Sequence, residues 1–162
     1  MSALPLASRK ALCINPEVRR LGSAARINER CLDMLRAKPS AKTARRLDGT
    51  RQRAKTLSRC PFLKHDAKAA EAFRAKVLEA PLDVEDLGRL GAQHGVCPYY
   101  ATRQAQPSAD ILFMPYAALL SAESRESFGI CLKDAVIIVD EAHNLLEAVN
   151  SAHAADLARR DL

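Results

Sequence analysis

Apolar residues recur along this chain at two different periods, and the change of period divides it. Behind Ser23, the residues Ile27, Cys31 and Leu35 return at helical spacing, which predicts a helix capped by Ser23 and running to about Arg36. Asp66 precedes a second helical stretch with Ala70, Phe73 and Val77 on one face, and Pro81 stops it. A shorter helix is expected from Val84 to Leu90 after Asp83, and "HGVCPYYATRQ" turns through a proline into another. Downstream the pattern shortens. "ADILFMPY" and "AVIIVDEAH" are brief, apolar, partly β-branched runs that read as strands, with a helical "YAALLSAESR" between them. Strand, helix, strand in that order predicts an α/β fold with a parallel sheet whose strands are buried on both faces. The first 22 residues hold an extended start and a turn at Asn15-Pro16.

Composition changes this picture in one place. Residues 36–59 carry nine Lys/Arg against a single acid, Asp48, with few large apolar residues, so a mobile, solvated basic loop is expected there. Its bland reading, a flexible insertion of no specific role, stands level with direct DNA contact. The whole chain of 162 residues is 48% hydrophobic and 27% charged, apolar enough to bury a core. A net charge of +6 favours an acidic partner, nucleic acid first, although a merely soluble basic protein competes on charge alone. No apolar run approaches the roughly 18 residues of a membrane span. The opening "MSALPLASRKAL" lacks a signal peptide's apolar segment and cleavage site, so an intracellular protein is expected.

In such a compartment, five cysteines (13, 31, 60, 97 and 131) raise metal or redox chemistry before disulfides. The first four are separated by 17, 28 and 36 residues, and no CxxC knuckle of the kind structural zinc prefers is present. Four thiolates gathered from separated elements can instead hold an iron–sulfur cube. Cys60-Pro61-Phe62 and Cys97-Pro98-Tyr99 share a Cys-Pro-aromatic pattern, in which proline fixes the outgoing chain and the aromatic can shield a cluster. From spacing alone, buried free thiols come ahead of any metal. Cys131 belongs to the segment before the second strand and is the odd one out.

Asp140 follows the apolar run Val136–Val139 and so emerges at a strand's carboxyl end, where doubly wound sheets bind ligands. An acid there can hold Mg²⁺ beside a nucleotide, and its neighbour Glu141 can orient and deprotonate an attacking water. His143 can report phosphate state through a hydrogen bond. Against this, the six glycines form no G-x-x-x-x-G-K-[ST] loop, so the chain alone is not expected to hydrolyse ATP.

The combination resembles a known family. Asp140-Glu141-Ala142-His143, followed by Asn144, resembles motif II of superfamily-two helicases. With the cysteine region ahead of it, the chain looks like the XPD-like iron–sulfur DEAH-box DNA helicases. "SRKALCINPEV", "RCLDM", "CPF", "GVCPYY", "ADILFMPY" and "VIIVDEAHN" match that family in order. "GSAARINERCLDM" and "FGICLKDAVIIVDEAHNLLEAVNSAH" look most like the ChlR-type cohesion helicases, as does a basic insertion between the second and third cysteines. The telomere-elongation regulator helicases come second, on "LDVEDLGRLGAQHGVCPYY" and "ADILFMPY".

The resemblance implies a 4Fe–4S cluster on Cys13, Cys31, Cys60 and Cys97, with Cys131 outside it. It implies Mg²⁺-ATP at Asp140, water activation by Glu141 and coupling by His143. The implied fold is part of a RecA-like parallel-sheet motor domain with an inserted, mainly helical iron–sulfur cluster domain. Residues 1–12 would end a motor segment, 13–105 form the four-cysteine domain and 106–162 carry the DEAH box. The implied activity is ATP-driven 5′–3′ movement on single-stranded DNA that separates the strands of forked DNA, in repair, replication or chromosome cohesion, within the nucleus. The family's Walker A loop and later motifs are not in these residues, so an internal fragment is expected. The alternative is a non-enzymatic metal-binding DNA-interaction module, and a plain α/β domain with free thiols is a third reading.

Overall fold

A computed structural model describes residues 1–37, 58–63 and 66–154. The basic stretch at 38–57 lies outside the described residues, and with it most of the loop expected at 36–59. The chain divides into two compact units, Met1–Ile111 and Leu112–Leu162.

In the first unit, Ala3–Pro5 (β1) is followed by three helices, Arg9–Leu12 (α1), Pro16–Arg19 (α2) and Ala24–Arg36 (α3). After a single 3₁₀ turn at Pro61–Leu63 come Ala67–Glu79 (α4), Val84–His94 (α5) and Pro98–Ala105 (α6). The caps explain the starts. Ser8, Asn15, Asp66 and Asp83 each accept a main-chain N–H of the first turn, satisfying donors the helix leaves free. Ser23 occupies the expected N-cap of α3 without making that bond.

The α3 face differs from expectation by one position. Met34 is buried while Leu35 is 39% exposed, because Met34 lies seven residues, about two turns, after the buried Ile27. The helix after Asp83 also runs on to His94, past the expected end at Leu90, until Gly95 closes it at φ 66°.

Two cores result. Leu4, Leu12, Phe73, Val77, Leu87 and Tyr99 are buried where α1, α4, α5 and α6 pack. Val18, Ile27 and Met34 form a smaller cluster, and Cys13, Leu21 and Cys60 pack against it. The unit is closed end to end: Ser2 O accepts from the Asp110 and Ile111 amides at 3.1 and 3.0 Å, and the Asp110 carboxylate takes the Ser2 amide at 2.7 Å. Those bonds start a two-stranded sheet of β1 with Ile111–Phe113 (β2).

The second unit is helical: Tyr116–Leu120 (α7), Ala122–Phe128 (α8) and Leu145–His153 (α9), with α7 packed on both others. The helix expected over "YAALLSAESR" is broken at Ser121, whose hydroxyl accepts from the Ser124 amide and starts α8 afresh. The larger correction concerns "AVIIVDEAH". Residues 135–139 form no strand, and Val136 and Ile138 are each 89% exposed. A strand needs a neighbour to pair with. The single sheet among the described residues is β1–β2, so this run gains neither ladder bonds nor cover. The described residues are α/β in content, with a far smaller sheet than the sequence pattern promised.

One close approach fixes the α5–α6 corner. A Cβ on Gly91 would lie 2.4 Å from Pro98 Cγ and 2.8 Å from Pro98 Cδ. Alanine in a helix interior normally gains roughly 1 kcal/mol over glycine, yet overpacking costs about 1–3 kcal/mol. The rigid ring cannot yield, so Gly91→Ala is expected to destabilise the chain in urea unfolding. Unchanged or higher stability would contradict this packing.

Candidate functional site: four thiols around one cavity and an exposed acidic turn

Four of the five cysteines meet. Cys13, Cys31, Cys60 and Cys97 line one cavity together with Ile14, Asn15, Val18, Met34, Phe62 and Leu63. The cavity is small, about 20 Å³. Each thiol arrives by a different device. Cys13 follows the last residue of α1, and the turn at Asn15-Pro16 then starts α2. Cys31 projects from α3, whose apolar face is already fixed by Ile27 and Met34. Cys60 precedes the turn of Pro61–Leu63, and Cys97 is the N-cap residue of α6. The two Cys-Pro-aromatic segments are tied directly, since the Cys97 amide donates to Phe62 O at 2.9 Å.

The aromatics sort themselves by burial. Tyr99 is buried, with the Arg9 guanidinium 4.5 Å and the Arg103 guanidinium 4.4 Å from its ring centre. Tyr100 meets Tyr99 edge to face at 5.0 Å and accepts from Arg9 Nη2 at 3.3 Å. Tyr99 is therefore held by packing and has no free face for a nucleic-acid base. Arg9 did not stand out in the sequence, because a cation over a ring leaves no spacing signal. "Asn-Pro" did mark Asn15 as a turn residue, which is half of its role.

Burial pushes the Cys97 thiol up to about 11, against the pull of the Tyr99 and Tyr100 amides, and the nearby Cys60 and Cys31 push it the same way. Burial likewise raises Cys13, with Cys31 and Cys60 adding to the effect. Four thiolates cannot share this apolar space without a compensating cation. The donor set fits an iron–sulfur cluster: soft sulfur ligands, a mostly apolar wall, and anchors spread around a cavity. Among the described residues, no three His, Cys, Asp or Glu side chains converge on one ion-sized position. Cys131 stands apart and is exposed.

The acidic turn belongs to the second unit. Glu141 has φ 49°, a left-handed conformation uncommon outside glycine. Its amide donates to Asp140 Oδ1 at 2.9 Å, and its carboxylate lies 3.2 Å from His143 Nδ1. The Tyr116 hydroxyl donates to the main-chain carbonyls of Asp140 and Glu141. The three sequence-predicted residues thus share one turn, all exposed. Tyr116 was not singled out by sequence, since its contact spans 24 residues. A water-exposed carboxylate pair of this kind is open to a hydrated cation.

Exposure and desolvation set an order of thiol reactivity. Under iodoacetamide near pH 8, Cys131 should alkylate first and Cys97 last, as followed by peptide mass spectrometry. Labelling of Cys97 as fast as Cys131 would contradict the burial described.

Comparison with known proteins agrees with the ordered motifs. The DEAD_2 family model matches residues 1–162. The chain is 41% identical over 161 residues to an ATP-dependent DNA helicase chl1 of Neurospora crassa, covering 98% of this chain and 14% of that protein. It is 39% identical over 153 residues to an ATP-dependent DNA helicase DDX11 of Danio rerio, covering 94% of this chain and 17% of that protein. An ATP-dependent DNA helicase CHL1 of Candida glabrata is 34% identical over 164 residues, covering 98% of this chain and 18% of that protein. The chain spans between a seventh and a fifth of the length of these relatives. It belongs to the DEAD_2 family, as a segment of the ChlR type within the XPD-like helicases.

Proposed function

We propose that this chain is an internal segment of an ATP-dependent 5′–3′ DNA helicase acting in genome maintenance. In this reading residues 1–12 end one motor segment, 13–105 form a domain that holds a 4Fe–4S cluster on Cys13, Cys31, Cys60 and Cys97, and 106–162 carry the DEAH box of a RecA-like motor. The observation that carries it is the convergence of those four cysteines on one cavity, with Cys131 outside. The relatives' names, each an ATP-dependent DNA helicase, supply the activity.

The chemistry assigned to the acidic turn follows from its groups. Asp140 would supply the carboxylate that holds the Mg²⁺ of bound ATP, and Glu141 would orient and deprotonate the attacking water. His143, in contact with the Glu141 carboxylate, links the state of the terminal phosphate to the turn. The phosphate-gripping loop is not among these residues, so the segment alone is assigned no turnover. The metal-held domain acts as a wedge at a fork, where each base-pair step resists with stacking of about 1.4 kcal/mol. A net charge of +6 suits contact with phosphates, and binding to single-stranded or forked DNA is expected to weaken steeply with salt. The protein acts in the nucleus, and among the described residues no helix is long and apolar enough to cross a membrane.

Two sets of variants test the halves separately. Cys60→Ser and Cys97→Ser should abolish bound iron and the absorbance near ~400 nm, whereas Cys131→Ser should keep both. Iron lost from the Cys131 variant alone would overturn the ligand assignment. In the full-length enzyme, Glu141→Gln should retain ATP binding and lose at least about a hundredfold in hydrolysis, the usual scale for a general base. Wild-type turnover in that variant would discredit the acidic turn.

A further inference from the structure

Asn15 is 5% exposed and is the one polar side chain besides the cysteines on the described wall of the four-thiol cavity. Its two side-chain ends are used for different tasks. Oδ1 accepts from the Glu17 amide at 3.0 Å and caps α2. That bond fixes which end of the amide is which, because only the oxygen can accept from a main-chain N–H. Nδ2 is thereby turned toward sulfur, 3.5 Å from Cys60 Sγ and 3.9 Å from Met34 Sδ. The main-chain O of the same residue lies 4.0 Å from Cys13 Sγ. One buried residue therefore touches two of the four thiols.

We infer that Asn15 is a positioning and tuning residue for the sulfur site, donating an N–H···S bond to the Cys60 thiolate. The inference rests on the cluster reading above. An N–H donor stabilises negative charge on sulfur, and the charge on a cluster's sulfurs is greater after one-electron reduction. The Tyr99 and Tyr100 amides serve Cys97, whereas Asn15 is the polar side chain that the described wall offers to Cys60, and among apolar neighbours its bond acts in a low dielectric. It biases the site toward the reduced state and holds Cys60 in place against loss of metal. Cys60 sits directly before the short 3₁₀ turn Pro61–Leu63, so it gains from such an anchor.

Capping and sulfur donation can be separated by substitution. Serine is a good N-cap but too short to reach Cys60, so Asn15→Ser removes the N–H···S bond and keeps α2. Asn15→Asp also caps, but places a carboxylate against the thiolates. The cluster-loaded protein would be titrated with dithionite under anaerobic conditions, and its iron release to a chelator timed. Asn15→Ser should retain the wild-type circular dichroism and melting midpoint. Its cluster potential should fall, so that the reduced-to-oxidised ratio at a fixed potential drops several-fold, and iron release should quicken several-fold. Asn15→Asp should lose iron faster still. Wild-type potential and release in Asn15→Ser, while the wild-type protein holds its cluster, would overturn the role of Asn15 alone. A wild-type protein that binds no iron and sulfide would overturn the cluster reading and this inference together.

Discussion

The hydrogen bond from the Cys97 amide to Phe62 O, at 2.9 Å, is the contact on which the first unit's chemistry depends. It joins two Cys-Pro-aromatic segments whose cysteines have 36 residues between them and places their thiols on one wall. The proline in each segment fixes the outgoing chain directly after the cysteine. Around it, Gly91 lets α5 close on Pro98, and Arg9 and Arg103 clamp Tyr99 behind it. The cavity is thus built by the backbone and its neighbours, and the cysteines take their places on a surface already shaped.

Much of this was readable in the chain. Helix starts announced themselves through Asp66 and Asp83, whose side chains bond the amides that a first turn leaves free. The four cysteines were legible as a set through motif order, which spacing alone did not supply. Long gaps in sequence say nothing about convergence in space, and the gathering of Cys13, Cys31, Cys60 and Cys97 needs α1, α3 and α6 to pack first. The Asn15 contact with Cys60 and the Arg9 contact with Tyr100 were not legible for the same reason: the partners lie 45 and 91 residues away. Leu35 misled because an i, i+4, i+8 pattern drifts around a 3.6-residue helix, whereas Ile27 and Met34 stay in line.

The run Val136–Val139 shows the limit of period as a signal. Apolarity predicts that a segment seeks cover, and β-branching predicts an extended backbone. Neither supplies the neighbouring strand that would turn an extended run into a sheet. The described residues place this run in the open while its carboxyl end still forms the turn of Asp140, Glu141 and His143. The turn is local, held by Tyr116 and by bonds within a few residues, so its shape survives without the ladder.

The central claim is that four cysteines from separated elements hold one polynuclear cluster. A Mössbauer spectrum of anaerobically prepared protein, enriched in the active iron isotope, tests it most directly. The account predicts about four irons per chain in sulfur-ligated, valence-delocalised sites typical of a cube. A protein that takes up stoichiometric zinc and gives no sulfur-ligated iron signal would contradict it.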